Sequence, residues 1–261
     1  SQLQALEERQ TRIRRLQKKY GASIKDILQS LAKIEMDIAS IRSAENRSRQ
    51  TLLEKEAVSH DLQKLAADLH VRRQNGAELL SRSVNDELKD LNMKGLRFHV
   101  QVDGVEPLNA QGRTRIEFMT QTSRNDPPRP LSRFASGGEL SRILLALKQV
   151  VNDTDAPRTF LFDEVDTGIS GRTAEKVGKK LRMIAKGQQV ICVTHLPQVA
   201  AFGDSHFWIA KNEINGGTIQ MDVREIDRED RVNEIARLIS GERITETSLA
   251  HARELLSVVP K

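Results

Sequence analysis

The string Ser136-Gly137-Gly138-Glu139-Leu140-Ser141-Arg142 opens an apolar segment of helical period, and Thr159-Phe160-Leu161-Phe162-Asp163-Glu164-Val165-Asp166 follows it. Small, flexible residues at the start of an apolar helix leave free backbone N–H groups and the positive end of the helix dipole facing outward, where an anion is stabilised. An apolar strand ending in two carboxylates places both at the carboxyl edge of a sheet, the edge at which α/β proteins bind ligands. The stretch 135–171 therefore reads as phosphate chemistry at one end and metal and water chemistry at the other. Asp163 and Glu164 are adjacent, so on extended backbone they point in different directions. One can hold Mg²⁺ through water while the other polarises an attacking water.

Working outward, a helix over about 137–151, a strand at 159–162, a helix over 170–185 and a strand at 189–193 imply parallel strands with covering helices. His195 follows the second strand in Val193-Thr194-His195 and so reaches the same edge. There it is expected close to Glu164, placed to donate a hydrogen bond to phosphate or to the attacking water. The other five histidines, His60, His70, His99, His206 and His251, have no comparable setting. Upstream, 96–102 alternates as a strand, 104–112 reads as a loop and 115–119 as a strand returning in a hairpin. The segment 121–133 carries Pro127, Pro128 and Pro130, which exclude helix and central strand. Downstream, a short helix at 198–201 precedes strands near 206–210 and 218–223 around an Asn215-Gly216-Gly217 turn. Two helices, at about 231–239 and 245–258 on either side of Gly241, finish the chain.

The first 95 residues have a different grammar. Leu6, Ile13, Leu16 and Tyr20 recur at heptad-like spacing to Gly21, where Ser23 can cap a new helix. Ile24, Ile27, Leu31, Ile34, Ile38 and Ile41 then alternate three- and four-residue steps, the seam of a coiled coil. The pattern loosens at 45–50 and resumes through Leu52, Val58, Leu62, Leu65, Leu69, Leu80, Val84, Leu88 and Leu91. A continuous helix of roughly 70 residues would span about 100 Å. Asn75-Gly76 falls inside it as a kink or a tolerated weak point. So narrow a stripe needs a partner helix. The expected division is a coiled-coil arm over 1–95, with a helix at 1–20, a break near 21 and a long helix at 24–94, followed by an α/β lobe over 96–261.

Composition agrees with a polar arm attached to a globular part: of 261 residues, aromatics are 3% and charged residues 30%. The net charge of +5 comes from 41 basic and 36 acidic residues that largely interleave, which permits nucleic-acid contact without demanding it. The single cysteine, Cys192, excludes an internal disulfide and any multi-cysteine metal site. No run of about 18 apolar residues and no signal peptide is visible, so no membrane partner is expected and a cytoplasmic setting is. The chain begins in mid-pattern at Ser1, as a piece lacking an N-terminal portion would.

The string 136–142 resembles the signature motif of ABC-type ATPases. Residues 159–163 resemble the Walker B strand, Glu164 its catalytic glutamate, 167–171 the D-loop region and His195 the switch histidine. The wording of 135–142, 162–171 and 194–200, with Lys19-Tyr20-Gly21 and Glu234-Ile235-Ala236-Arg237, is similar to the RecN family of bacterial SMC-like ATPases that act in DNA double-strand-break repair. The resemblance covers nearly the whole chain, as the C-terminal part of such a protein. It implies the α/β lobe of an ABC ATPase head, with a mostly parallel sheet, preceded by an antiparallel-type coiled-coil arm. It also implies ATP and Mg²⁺ as ligands. Asp163 would support the metal, Glu164 would activate water and His195 would sense the γ-phosphate. Ser136, Gly137, Gly138 and Glu139 would meet ATP in trans, on a second copy's head, and Asp166, Thr167, Gly168 and Ser170 would form the D-loop. Implied partners are the N-terminal part of the same protein, a second copy in a head homodimer, and DNA held or bridged during recombinational repair.

No Gly-x-x-x-x-Gly-Lys-Ser/Thr phosphate loop and no Q-loop glutamine are found in these residues. Both belong to the family's N-terminal part, so this chain alone is expected to bind ATP weakly and to be inactive. A competing reading is a structural or DNA-binding coiled-coil module without ATPase activity of its own; the long arm argues against a transporter subunit.

Overall fold

The computed structural model describes residues 2–123, 125–134, 136–151, 157–214 and 218–258, with the side chains at 212–219 outside the description. The expected 215–217 turn, and Ala135 at the head of the signature string, lie outside the described residues. The chain divides into two compact units, Ser1–Asp68 and Leu69–Lys261.

The first unit holds α1 (Gln2–Tyr20) and most of α2 (Ile24–Asp90), a single 67-residue helix that runs through Asn75-Gly76 without a break. Between the two helices Gly21 takes φ 139°, a conformation open to glycine, and a Cβ there would collide with Asp26. Ser23 and Asp26 then cap α2 reciprocally: Asp26 N–H donates to Ser23 Oγ at 3.2 Å and Ser23 N–H to Asp26 Oδ2 at 2.9 Å. These bonds to Ser23 hold the Asp26 carboxyl below its ordinary value. No residue of α1 is buried, and Leu31, Ile34, Ile38 and Ile41 of the seam are exposed.

The second unit begins inside α2. Val84, Leu88 and Leu91 are fully buried and share a core with Phe98, Ile143, Leu145, Phe162, Val165, Val177 and Leu181. The division by packing thus falls at 68/69, whereas the expected division at 95/96 followed the end of the helix. The last turns of α2 also complete the edge of β1 (Arg97–Asn109). Asn85 donates to Phe98 O and accepts from Phe98 N–H, and Val100 N–H donates to Ser81 Oγ.

β1 pairs antiparallel with β2 (Gly112–Gln121) from Arg97↔Gln121 to Asn109↔Gly112, with an irregularity between Gly104 and Asn109. The expected loop at 104–112 is therefore mostly strand. Its polar residues sit on an exposed hairpin, where polarity does not exclude pairing, and the irregularity absorbs the register change. Among its described residues the proline-rich segment contributes β3 (Arg129–Pro130), an edge strand on β2, before a 3₁₀ turn at Leu131–Arg133.

The α/β part follows. Between α3 (Gly137–Val150) and α4 (Gly171–Ala185) runs β4 (Thr159–Phe162), and β5 (Gln189–Cys192) pairs parallel with it from Thr159↔Gln189 to Phe162↔Cys192. Phe160, Phe162, Val190 and Cys192 turn inward to the core, while Leu161, Ile191 and Val193 are exposed on the opposite face. After α5 (Pro197–Ala200), β6 (Phe207–Ile214) and β7 (Thr218–Glu225) form an antiparallel pair. Among the described residues, parallel pairing is confined to β4–β5, narrower than the expected mostly parallel sheet. The other described pairs, β1–β2, β2–β3 and β6–β7, join strands consecutive in the chain, which pair antiparallel without a crossover. α6 (Arg228–Ser240) and α7 (Glu246–Val258) pack through Ile235, Ala236 and Ala252. Among the described residues no helix is long and apolar enough to cross a membrane.

Candidate functional site

The motif residues come from three places in the chain: the N-terminus of α3, the turn after β4 and the segment after β5. Ser136 caps α3 through backbone alone. Its carbonyl accepts from Leu140 N–H at 2.9 Å and its hydroxyl makes no capping hydrogen bond. The first N–H groups of the helix have no intrahelical partner, and at this dipole end the anion beside Gly137 is the Glu164 carboxylate. Ser170 caps α4 in the same way, without a side-chain bond.

The turn after β4 is packed against α3, and the glycines of the signature permit it. A Cβ on Gly138 would lie 2.8 Å from Glu164 O and 2.9 Å from Thr167 Cβ, and one on Gly137 would collide with Glu164 Oε2. Glu164 itself has φ 56°, a left-handed conformation that costs a non-glycine residue about 1 kcal/mol and concentrates at functional sites. Asp163 and Glu164 are exposed, and Gly168 has φ 74°. The structure thus sets the Glu164 carboxylate beside Gly137, although the motif reading assigns these two residues to different nucleotides.

Two residues quoted within the signature string, but given no role there, hold this arrangement together. Ser141 Oγ donates to Asp163 O at 2.7 Å. Arg142, only 6% exposed, donates from Nη1 to Val165 O at 3.2 Å and to Thr167 O at 2.7 Å. Burial lowers its guanidinium from the ordinary value, opposed by the nearby charges of Glu139 and Asp166. The sequence carried no signal for this role, because the acceptors are backbone carbonyls and the burial of Arg142 follows from packing.

Asp166 turns inward rather than toward solvent. Its carboxylate is 2% exposed and its Oδ2 accepts from Thr194 Oγ1 and from His195 N–H at 3.0 Å. His195 Nδ1 stands 3.3 Å from the same oxygen, and the ring is 71% exposed. His195 was expected beside Glu164; the contact it makes is with Asp166, because that side chain reaches across from β4 to the end of β5. Thr194, unassigned in the sequence, is the third member of this cluster. Behind it, burial, with the charges of Asp166 and Asp163, pushes the Cys192 thiol up to about 12, which disfavours the thiolate.

Among the described residues no group of three or more His, Cys, Asp or Glu side chains could hold a metal ion. Asp163, exposed at a strand end, fits a metal as one carboxylate contributing to a site completed by other groups.

The protein is 38% identical over 263 residues to the DNA repair protein RecN of Halalkalibacterium halodurans, a match covering 99% of this chain and 46% of that one. It is 36% identical to RecN of Bacillus subtilis, covering 97% of this chain and 46% of that one. The chain belongs to the RecN family. RecN of Treponema pallidum is similar at 37% identity, with 97% of this chain and 45% of that one covered. This RecN-type chain spans about half the length of the relatives it matches. No family model matches it. Among solved structures, an Smc head domain with a coiled coil and joint from Pyrococcus yayanosii is similar over 92% of this chain and 50% of that one, with TM-score 0.48 and 16% identity. An Smc head domain with an extended coiled coil from Pyrococcus furiosus gives TM-score 0.47 at 18% identity, covering 91% and 55%.

Proposed function

We propose that this chain is the lobe of an ABC-type ATPase head that supplies residues to two nucleotides at once, in a protein that uses ATP to hold or bridge broken DNA for recombinational repair. The observation that carries this reading is the bonding of three motif segments into one edge. Ser141 and Arg142 grip the backbone after β4, and Asp166 grips Thr194 and His195 after β5. Separate structural roles do not require three distant strings to meet.

On this reading the open N-terminus of α3, with Ser136, Gly137, Gly138 and Glu139, faces the γ-phosphate of ATP held by a second copy. Asp163 holds Mg²⁺ through water, and the metal when bound neutralises phosphate charge. Glu164 orients and polarises the attacking water, and His195 reports on the γ-phosphate. Thr167, Gly168 and Ser170 lie along the D-loop that meets the second copy.

The exposed face of β4–β5 supports a missing layer. A parallel pair is ordinarily covered on both sides, and burying Leu161, Ile191 and Val193 would contribute roughly 1.5–3 kcal/mol each. The occupant proposed is the other part of the same protein, the part that by resemblance carries the phosphate loop. The chain alone then turns over no ATP. With that part present, Glu164→Gln should lower hydrolysis by about 100-fold or more while head dimerisation on ATP persists; unchanged turnover would remove Glu164 as the catalytic residue. The alternative, a DNA-binding module without ATPase activity, predicts DNA affinity that falls steeply with salt and no hydrolysis in the complete protein.

A further inference from the structure

Asp166 occupies a position that hydrophobic packing does not explain. A carboxylate 2% exposed has lost its hydration, a cost that only hydrogen bonds or paired charge offset. Its donors come from one short segment, the Thr194 hydroxyl and the His195 backbone N–H, with His195 Nδ1 at 3.3 Å from the same oxygen. Arg142 secures the turn on either side of Asp166 by binding Val165 O and Thr167 O, and its positive charge acts on the carboxylate. Two elements are thus spent on aiming one side chain at the base of His195. The His195 ring is 71% exposed, so packing does little to orient it and the acceptor beside Nδ1 decides its direction.

We propose that Asp166 is a positioning residue for His195. It anchors the backbone at His195 and accepts a hydrogen bond from Nδ1–H, leaving Nε2 as the nitrogen presented at the reacting edge. With Nδ1–H given to the carboxylate, Nε2 is the nitrogen that faces the site: it accepts from water in the neutral ring and donates to a phosphate oxygen in the protonated one, so the acceptor at Nδ1 sets which nitrogen works. The 3.3 Å between Nδ1 and Oδ2 is a close approach that a small turn of the exposed ring converts into a hydrogen bond, and catalytic hydrogen bonds often tighten in the reactive complex. The proposal rests on the reading of His195 as the γ-phosphate sensor.

The first test needs no nucleotide. In the chain labelled with ¹⁵N-histidine, long-range ¹⁵N–¹H correlation at alkaline pH reads the neutral tautomer of His195, assigned by its loss in His195→Gln. The expected result is a dominant Nδ1–H form. Asp166→Asn should move the ratio severalfold toward Nε2–H, because an amide NH₂ facing Nδ1 donates where the carboxylate accepted. A dominant Nε2–H form in the unaltered chain overturns the proposal without any variant, and so does an unchanged ratio in a folded Asp166→Asn.

The second test uses the complete ATPase. Asp166→Asn should lower kcat at least about tenfold with KM for ATP within about twofold, and the double variant with His195→Gln should be no slower than His195→Gln alone. Full kcat in Asp166→Asn beside an impaired His195→Gln overturns the positioning role. Full kcat in His195→Gln, with the tautomer result intact, overturns the sensor reading and leaves the orientation of the ring by Asp166 established.

Discussion

Along α2 two stretches with the same spacing of aliphatic residues have opposite fates. Leu31, Ile34, Ile38 and Ile41 are 41–59% exposed, whereas Val84 and Leu88, with Leu91 just past the helix end, are fully buried among Phe98, Ile143 and Val177. The spacing states which face is apolar; it does not state whether that face has a neighbour. In the second stretch the neighbour comes from α3, α4 and β1, elements more than five residues away in sequence, so burial there is a tertiary fact. In the first stretch the seam is a coiled-coil face with its contact surface free. The difference teaches that one helix belongs to two units, as arm along one length and as core along the other.

Three measurements bear on that contrast. The largest effect is expected from Leu88→Ala, which deletes fully buried methyl groups and should cost about 2–5 kcal/mol in urea unfolding, while Leu52→Ala should stay within about 0.5 kcal/mol. Equal losses at the two sites would mean that the arm is packed as tightly as the lobe. Within the second unit the ion pairs on α2 differ in the same respect, whether or not a neighbouring element covers them. Lys180 of α4 is nearly buried between Glu87, which it binds closely, and Asp90 at 3.6 Å, and Lys176 reaches Asp90 at 2.8 Å. Lys180→Met should cost about 1–3 kcal/mol by leaving Glu87 without its partner. Arg82→Met removes only the largely exposed pair with Glu78 and should cost less than about 0.5 kcal/mol. A double-mutant cycle that gives both pairs the same coupling energy would remove the distinction. The smallest effect concerns Gly76, which lies inside α2 with nothing within 4 Å of a built Cβ. Gly76→Ala should raise the thermal midpoint by the equivalent of about 0.5–1 kcal/mol, because alanine gives up less backbone entropy on entering a helix. A fall in stability would mark Asn75-Gly76 as a hinge that the arm uses.

Much of the site was legible because its chemistry is local. Ser136-Gly137-Gly138 ahead of an apolar run means an open helix N-terminus whatever surrounds it, and Asp163-Glu164 after Phe160-Leu161-Phe162 means carboxylates at a strand end. The pairing of β4 with β5 followed from the helix between them, since a strand, a helix and a strand of these lengths close most easily as a parallel crossover. Three features were not legible. The strand through 104–109 was hidden because an exposed hairpin places no apolar demand on its residues. The roles of Arg142 and Ser141 were hidden because their acceptors are backbone carbonyls of 163, 165 and 167, which any sequence would supply. The pairing of His195 with Asp166 was hidden because adjacency at a sheet edge does not say which of three acids reaches across.

By itself, then, the sequence determined the helical arm, the crossover, the order of the motif strings and the membership in the RecN family, all of which depend on spacing and residue type along the chain. Only the tertiary structure decided where the arm becomes core, that Glu164 lies against Gly137, and that Asp166 turns away from solvent to meet Thr194 and His195. These are matters of which surfaces meet across gaps of tens of residues. Packing and the need to satisfy buried polar groups select them jointly, and no local pattern carries that information.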